Sequence, residues 1–299
     1  MPGRNHQHPL GSDEMFRFPA FTAIEPFDHV LFVLFILVHV FACVAPFLVT
    51  REGLLLSITM LILSGQFGMR LGYHRLLAHR SFRTYKPIAY FWALCGSLAL
   101  QGGPISWIAI HRLHHQNPDQ DSDPHSPTIS FLWAHIFWLF FEPPQLGRSG
   151  GRSRLASDIR ADAVFCFLER WHYPLNIAFG CLLFSMGYLR GGVFQAFSLL
   201  TWGYFIPVVY VWHATFLIVS VNHLWGYKNY RTHDNSRNTW WVALITCGDG
   251  WHNNHHAYPQ SANMGHRWFE LDPTYWIIRV MEILGLAREV IRPSRARSH

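Results

Sequence analysis

The sequence has fewer charged residues than a water-soluble protein of its length normally has. Only 14% of its 299 residues are Asp, Glu, Lys or Arg, whereas an ordinary soluble domain has about 25%. Half of the residues are hydrophobic, which excludes an intrinsically disordered chain because disorder requires low hydrophobicity and high charge. These features predict a protein that is buried partly in lipid.

Paired cysteines and a basic face are also lacking. The five cysteines stand apart from one another without a Cys-x-x-Cys pair, so a disulfide framework is excluded and a reducing compartment is favoured. The net charge of +6 comes from residues that form no continuous basic face with aromatic residues between them. We therefore expect no nucleic-acid partner.

Four apolar stretches are long enough, or nearly so, to cross a bilayer, which takes about 20 helical residues. Short connections join the first to the second and the third to the fourth, so the sequence predicts an all-α membrane protein with two transmembrane hairpins. Two shorter apolar runs, 88–100 and 129–141, cannot span and are expected to form interfacial or buried helices. The four predicted spans are 30–50, 53–71, 173–189 and 193–221.

The distribution of basic residues predicts the orientation of these spans. All but two of the 24 Lys and Arg residues, Arg51 and Arg190, lie on one side, which the positive-inside rule makes cytoplasmic. Both termini and the long middle segment then form a helical cap on the cytoplasmic side. We expect one domain over residues 1–299, with an N-terminal arm of about residues 1–26 and a basic tail over 291–299.

Histidine is abundant, with 20 residues. In two groups of the form HxxHH, positions i, i+3 and i+4 share one face of a helix, so the three rings can converge and one helix can serve two metals. A group of the form HxxxxH is less regular, because five residues of α-helix turn through about 140° beyond a full turn, and both rings reach one centre only if the helix end unwinds. Imidazole binds iron, copper, zinc or nickel, so the groups predict a metal centre without choosing the metal. The groups are His74 and His79; His111, His114 and His115; and His252, His255 and His256.

Residues close to these groups are candidates to orient the ligands. A ligating imidazole normally donates its other N–H to a carboxylate or carbonyl, and five aspartates lie near the groups in sequence. Isolated histidines are instead expected at the membrane interface as surface residues, among them His39, His135, His172 and His213. The five aspartates are Asp119, Asp121, Asp123, Asp234 and Asp249.

The order HxxxxH, HxxHH, HxxHH around two apolar hairpins resembles the integral-membrane fatty acid desaturases. The residues beside the histidines are similar to the Δ9, stearoyl-CoA desaturase-like branch, and the similarity covers roughly residues 27–290. The segments that carry it are Gly72-Tyr73-His74-Arg75, Trp107-Ile108-Ala109-Ile110-His111-Arg112, Asp123-Pro124-His125-Ser126 and Gly248-Asp249-Gly250-Trp251-His252.

The resemblance implies a centre of two iron ions held by nine histidines, which are the eight above and His223. It also favours Asp123 and Asp249 as the carboxylates that orient ligands. The family usually has Asn four residues before the position of His223, where it holds an iron through water, but this chain has Val219. Asn222 is a weak candidate to replace it, and the alternative is an iron with an additional water.

The resemblance further implies an O2-dependent desaturase that introduces a cis double bond, at Δ9, into a saturated acyl chain. The chain's carrier stays open between CoA, a carrier protein and a membrane lipid, and electrons would come from a separate donor, ferredoxin or cytochrome b5. Two alternatives remain: a hydroxylase on the same scaffold, and a non-enzymatic metal-handling membrane protein. The length of a typical acyl chain, together with the resemblance, places the closed end of the substrate tunnel at Ile58 and Ile62.

Overall fold

A computed structural model describes residues 27–147 and 150–293. The expected N-terminal arm and residues 294–299 of the basic tail lie outside this range. Within it the protein is almost entirely helical. The α-helices are α1 (His29–Cys43), α2 (Arg51–Met60), α3 (Lys86–Ser97), α4 (Pro104–Gln116), α5 (Phe131–His135), α6 (Pro144–Gly147), α7 (Gly151–Leu155), α8 (Ser157–Arg160), α9 (Ala163–Arg170), α10 (His172–Leu200), α11 (Ile206–Ser220), α12 (Trp240–Ile245), α13 (His252–Ala257) and α14 (Pro273–Ile283).

Shorter elements of other types join or extend these helices. Two stretches are π-helical: Leu61–Ala78 continues α2, and Thr201–Phe205 joins α10 to α11. Two strands, β1 (Arg83–Thr84) and β2 (Ala287–Arg288), pair antiparallel and tie the C-terminal part to the segment that follows His79. Single 3-10 turns cover Ala45–Phe47, Phe137–Phe140 and Val221–His223.

Three continuous helical segments in the described part of the chain are long and apolar enough to cross a membrane: His29–Phe47, Arg51–Ala78 and His172–His223. The third has 52 residues and contains both the third and the fourth predicted spans. It breaks at Gly191 and Gly192, whose backbone angles are not helical.

The two halves of the third segment run antiparallel to each other. The rings of Phe184 and Phe197 lie 5.3 Å apart in an edge-to-face contact. Further from the break, the Tyr204 hydroxyl donates a hydrogen bond of 2.9 Å to the Asn176 side chain. Residues at increasing distance from Gly192 on one half therefore contact residues at increasing distance on the other.

Close backbone contact fixes α3 against the extension of α2. A Cβ atom added to Gly68 would lie 2.4 Å from the backbone nitrogen of Gly96, which no real Cβ can do without displacing the backbone. The two helices therefore meet at glycine. As a result α3, which covers most of the apolar run predicted over 88–100, lies directly against the helix that leads to His74 and His79.

Helix α1 packs against α11 through aromatic rings and one histidine from each helix, and α5 adds a third histidine. Phe35 stacks on Trp212 with ring centres 5.2 Å apart. Beside them lies a chain of hydrogen bonds that we call the histidine row: His39 Nε2 is 3.0 Å from His213 Nε2, His213 Nδ1 is 3.1 Å from His135 Nε2, and His135 Nδ1 is 3.0 Å from Ser220 Oγ. The sequence predicted isolated surface residues at these three histidines, but their rings are half-buried and bonded to one another.

Candidate di-metal centre

All nine predicted ligand histidines lie at one site. His74 and His79 end the extension of α2, α4 and α13 carry three each, and His223 ends the turn that follows α11. Their ring nitrogens form two groups, each with candidate ligand atoms within 4.8 Å of one another. His115 joins the first group, because its Nε2 lies 2.9 Å from that of His255. The first group of candidate ligands is His74, His79, His111 and His255; the second is His114, His223, His252 and His256.

Helical spacing explains how two short helices serve both groups. On α4, His111 and His115 face the first group and His114 faces the second. On α13, His255 faces the first group, and His252 and His256 face the second. Residues three and four apart lie on one helical face. Each helix can therefore direct rings to both of the adjacent histidine groups, as its sequence spacing predicts.

The π-helical stretch brings His74 and His79 together. The N–H of His79 donates to the carbonyl of His74 over 3.1 Å, which is the i to i+5 bond of a π-helix. That bond brings the backbones of residues five apart close to each other, and the two ring centres are only 4.9 Å apart. The difficulty that α-helical geometry raises for this pair is therefore solved by a change of helix type.

Carboxylates hold four of the rings by their Nδ1 atoms. The two aspartates favoured from the sequence, Asp249 and Asp123, lie 3.0 Å from His74 Nδ1 and 2.8 Å from His114 Nδ1. Two of the less favoured candidates do the same: Asp119 lies 2.9 Å from His223 Nδ1 and Asp234 lies 2.7 Å from His256 Nδ1. Asp121 is exposed.

The protonation of these pairs makes the inner ring nitrogens acceptors. Burial alone would raise the pKa of Asp249, but His74 and the buried arginines hold that pKa well below its usual range. An ionised carboxylate requires a proton on the Nδ1 atom that it accepts from, which leaves a lone pair on Nε2 of the neutral ring. Burial, together with the neighbouring histidines, also holds the pKa values of His252 and His255 well below the ordinary value. The neutral imidazole is the form that binds metals.

The inner nitrogens fit a cation. His114 and His256 each donate from Nδ1 to an aspartate, yet their Nε2 atoms lie 3.3 Å apart. If both rings are neutral, the two lone pairs repel at this distance unless a cation, either a proton or a metal ion, lies between them; burial would lower the pKa of His114, but Asp123 raises it above its ordinary value. Nitrogen donors in this number suit a transition metal rather than magnesium or calcium, which prefer oxygen.

Two arginines, one fully buried and one half-buried, hold the segments around the histidine groups. Arg75 is fully buried and donates to Asp249 over 3.0 Å and to Asp272 over 2.9 Å. Arg112 donates to the carbonyls of Leu77 and Ala78 at the end of the α2 extension. These contacts position the helix end that carries His79 relative to α4.

A network of asparagines holds α13, and the sequence analysis missed it. Asn238 Oδ1 accepts from the N–H groups of Asn253 and Asn254, over 3.0 Å and 3.2 Å. Asn254 in turn donates to Glu270 over 2.7 Å. The Asn-Asn pair between His252 and His255 was the available signal, since polar residues between ligands require buried partners of their own.

Glu169 is a second residue whose role the sequence did not show. Its carboxylate accepts from the N–H groups of Ile105 and Ser106, over 2.8 Å and 3.1 Å. A carboxylate at this place satisfies unpaired N–H groups and favours the positive end of the helix. Glu169 therefore caps the helix that carries three of the predicted ligands.

Val219 lies in the wall of a cavity beside the second histidine group. It lines a narrow cavity together with His114 and His252 of the second group, and its apolar side chain offers no donor atom. Asn222 donates to the Gly250 carbonyl over 3.1 Å, and its Oδ1 atom is buried without a partner among the described residues.

The cavity beside the histidines is small, about 30 Å³, and lies between the α2 extension, α4 and α11. Trp107 and Thr215 form part of its wall, and Gln101 donates to the Thr215 hydroxyl over 3.2 Å. A larger apolar cavity of about 470 Å³ lies between α1, α10 and the start of the following helix. No histidine lines it, so of these two cavities the smaller one borders the histidine groups.

The structure corrects the expected end of the substrate tunnel. Ile58 is 57% exposed and Ile62 is 46% exposed, and neither lines either cavity. The side chains of α2 that face the protein interior are those of Ser57 and Met60. A residue on the outer face of a helix cannot close an internal tunnel, so these two isoleucines are removed from that role.

Comparison with known proteins places these observations in a family. Residues 51–285 match the family model described as "Fatty acid desaturase". The chain is 39% identical over 269 residues to an sn-2 palmitoyl-lipid 9-desaturase of Nostoc sp. (strain 36), covering 89% of this chain and 92% of the relative. It is 43% identical over 228 residues to an sn-1 stearoyl-lipid 9-desaturase of Anabaena variabilis, covering 76% and 80%.

The name of a third relative gives CoA, and not a lipid, as the carrier of the acyl chain. The chain is 38% identical over 265 residues to an icosanoyl-CoA 5-desaturase of Limnanthes douglasii, covering 88% of this chain and 72% of the relative. All three names describe desaturases, and the alignments extend over most of each protein. The chain therefore belongs to the fatty acid desaturase family.

Proposed function

We propose that this protein is an O2-dependent di-iron desaturase that introduces a cis Δ9 double bond into a saturated acyl chain of a membrane lipid. The observation that carries the proposal is the convergence of nine histidines in two groups in a member of the fatty acid desaturase family. The names of two relatives support the position of the double bond and the lipid carrier, since both act on lipid-linked chains at position 9.

A bound metal would supply redox chemistry that side chains cannot. An unactivated methylene C–H bond resists acids, bases and nucleophiles, so two irons bound by the nine histidines would supply the redox chemistry with O2. The reaction balances when two hydrogen atoms from adjacent carbons, two external electrons and two protons reduce O2 to two waters. The electrons come from a separate one-electron carrier, ferredoxin or cytochrome b5.

The protein's own residues position the parts. Asp249, Asp123, Asp119 and Asp234 fix which nitrogen of four rings faces inward. Trp107 and the hydrogen-bonded pair of Gln101 and Thr215 shape the wall along which an acyl chain would lie. Burial of the ligand rings keeps bulk water from the reacting carbons.

We further propose that the chain is one membrane domain over residues 1–299, with four spans in two hairpins and a cytoplasmic cap that holds the active site and both termini. The break at Gly191 and Gly192 and the antiparallel contacts on either side of it support the second hairpin. The position of Arg51 and Arg190 at the two short connections, opposite to the other basic residues, supports the orientation.

Product analysis tests the proposed reaction. The gene is expressed in a desaturase-deficient yeast, and fatty acid methyl esters are separated and their double bonds located by mass spectrometry. We expect monounsaturated chains with the double bond at carbon 9, enriched in membrane lipids rather than in acyl-CoA. Hydroxylated chains would indicate the hydroxylase alternative, and an unchanged profile in cells that contain the iron-loaded protein would contradict the proposal.

A further inference from the structure

Two helices of the cap expose large apolar side chains on one face. On α12, Trp240 is 67% exposed and Leu244 is 74% exposed, four residues apart. On α14, Trp276, Val280 and Ile283 are all more than half exposed, and their spacing of four and three residues places them on one side of the helix. An apolar face of this size on a cap that met only water would be unfavourable.

Hydrogen bonds show the depth at which these helices lie. Thr274, in the first turn of α14, accepts from the Gln66 side chain over 2.9 Å, and Gln66 lies inside the second apolar stretch, 53–71. Ile245, at the end of α12, accepts from the Tyr210 hydroxyl over 3.1 Å, and Tyr210 lies inside the fourth, 193–221. Both helices therefore flank the membrane-crossing segments instead of standing above them.

The remaining faces of α14 are not suited to hydrocarbon. Thr274, Ile278 and Met281 are buried against the protein. Glu282, on another face, pairs with Arg279 and also with Arg292, the latter over 2.6 Å. The helix is therefore amphipathic, with one face on the protein, one apolar face outward and ionic groups between them.

We propose that α12 and α14 form an in-plane membrane surface, whose outward apolar face is covered by bilayer lipid at the boundary between headgroups and acyl chains. The proposal rests on the membrane topology given above. Amphipathic helices at that boundary bury their apolar face about 5–10 Å deep, and tryptophan is enriched there because its ring is apolar with a polar N–H. Residues of the cap beyond the fourth span thus enter the membrane, where a charge count alone would place the whole segment in the cytoplasm.

Thiol labelling tests this surface without using enzyme activity. Val280→Cys and Leu244→Cys variants in lipid nanodiscs are treated with a charged, membrane-impermeant maleimide, and the parent chain gives the background from native cysteines. The matched control is Arg279→Cys, one residue from Val280 on the ionic side of the same helix. We expect Val280→Cys and Leu244→Cys to react at least about tenfold more slowly than Arg279→Cys in nanodiscs, and all three to react equally after denaturation.

Each other outcome overturns the proposal. Equal labelling of Val280→Cys and Arg279→Cys in nanodiscs would place both faces in water. Protection of all three would show that protein covers the whole helix, and disulfide-linked dimers of Val280→Cys would identify a second copy as the occupant.

Quenching of Trp276 fluorescence by brominated lipid, measured against Trp276→Phe, provides the second readout. Because neither measurement needs iron or substrate, its failure is distinct from failure of the proposed desaturation.

Discussion

Asp249 gives the sharpest test of the proposed metal site. The Asp249→Asn change keeps the shape of the side chain but removes a negative charge that faces His74 Nδ1 over 3.0 Å and Arg75 over 3.0 Å. Loss of a carboxylate that orients a ligating histidine typically lowers metal affinity about 10- to 100-fold, which corresponds to about 1.4–2.7 kcal/mol. Since His74 belongs to the first histidine group only, the loss is expected at one of the two proposed iron sites.

The assay is iron titration of the purified apo-protein in nanodiscs, followed by metal analysis after removal of free iron. At a free-iron concentration that just saturates the parent with about two irons per chain, we expect Asp249→Asn to retain about one. Asp123→Asn is the matched variant, since Asp123 holds His114 of the second group, and Asp121→Asn at an exposed position is the control. Two irons bound with unchanged affinity in Asp249→Asn would refute this account of the carboxylate.

Three further predictions follow from other parts of the structure. Val219→Asn places an amide in the cavity beside His114, so we expect tighter iron binding at the second group, and an unchanged iron titration would contradict this. Gly68→Ala forces a Cβ onto the backbone of α3, and we expect a loss of about 1–3 kcal/mol, seen as a lower melting temperature; unchanged stability would refute the close contact. Burial would raise the pKa of Asp158, but Arg112 and other groups lower it to about 2. The ionised Asp158 therefore contributes stability that is present above about pH 4 and is lost as the pH falls toward 2. The difference in melting temperature between the parent and Asp158→Asn should accordingly shrink over that range, and a constant difference would refute it.

The convergence of the histidine rings could be predicted from the sequence because their spacing is a local property of a helix. His111, His114 and His115 lie on one face in any α-helix, so their convergence requires no knowledge of the remaining fold. The favoured aspartates Asp123 and Asp249 came from the resemblance, and the structure places both on histidine Nδ1 atoms.

Other features depend on packing between distant segments. The π-helical stretch that aligns His74 with His79 has no clear sequence signal, because the type of helix is decided by the contacts around it. The sequence of α2 is only weakly amphipathic, so it does not show which face of the helix is turned to the protein interior. Ile58 and Ile62 were therefore assigned to the wrong face. Asn238 is 14 residues before His252 in the chain, and only the fold brings its side chain to α13.

The histidine row has a consequence in the number of protons that it can hold. His39, His213, His135 and Ser220 make five contacts, counting a backbone carbonyl at each end, but three neutral imidazoles and one hydroxyl supply only four protons. One contact must therefore be without a proton while the row is neutral. The Ser220 hydroxyl can donate either to His135 or to the Phe216 carbonyl, which already accepts a hydrogen bond within the helix. The contact without a proton is therefore one of these two contacts of Ser220. All three rings then have a defined tautomer, and the row has room for a single additional proton.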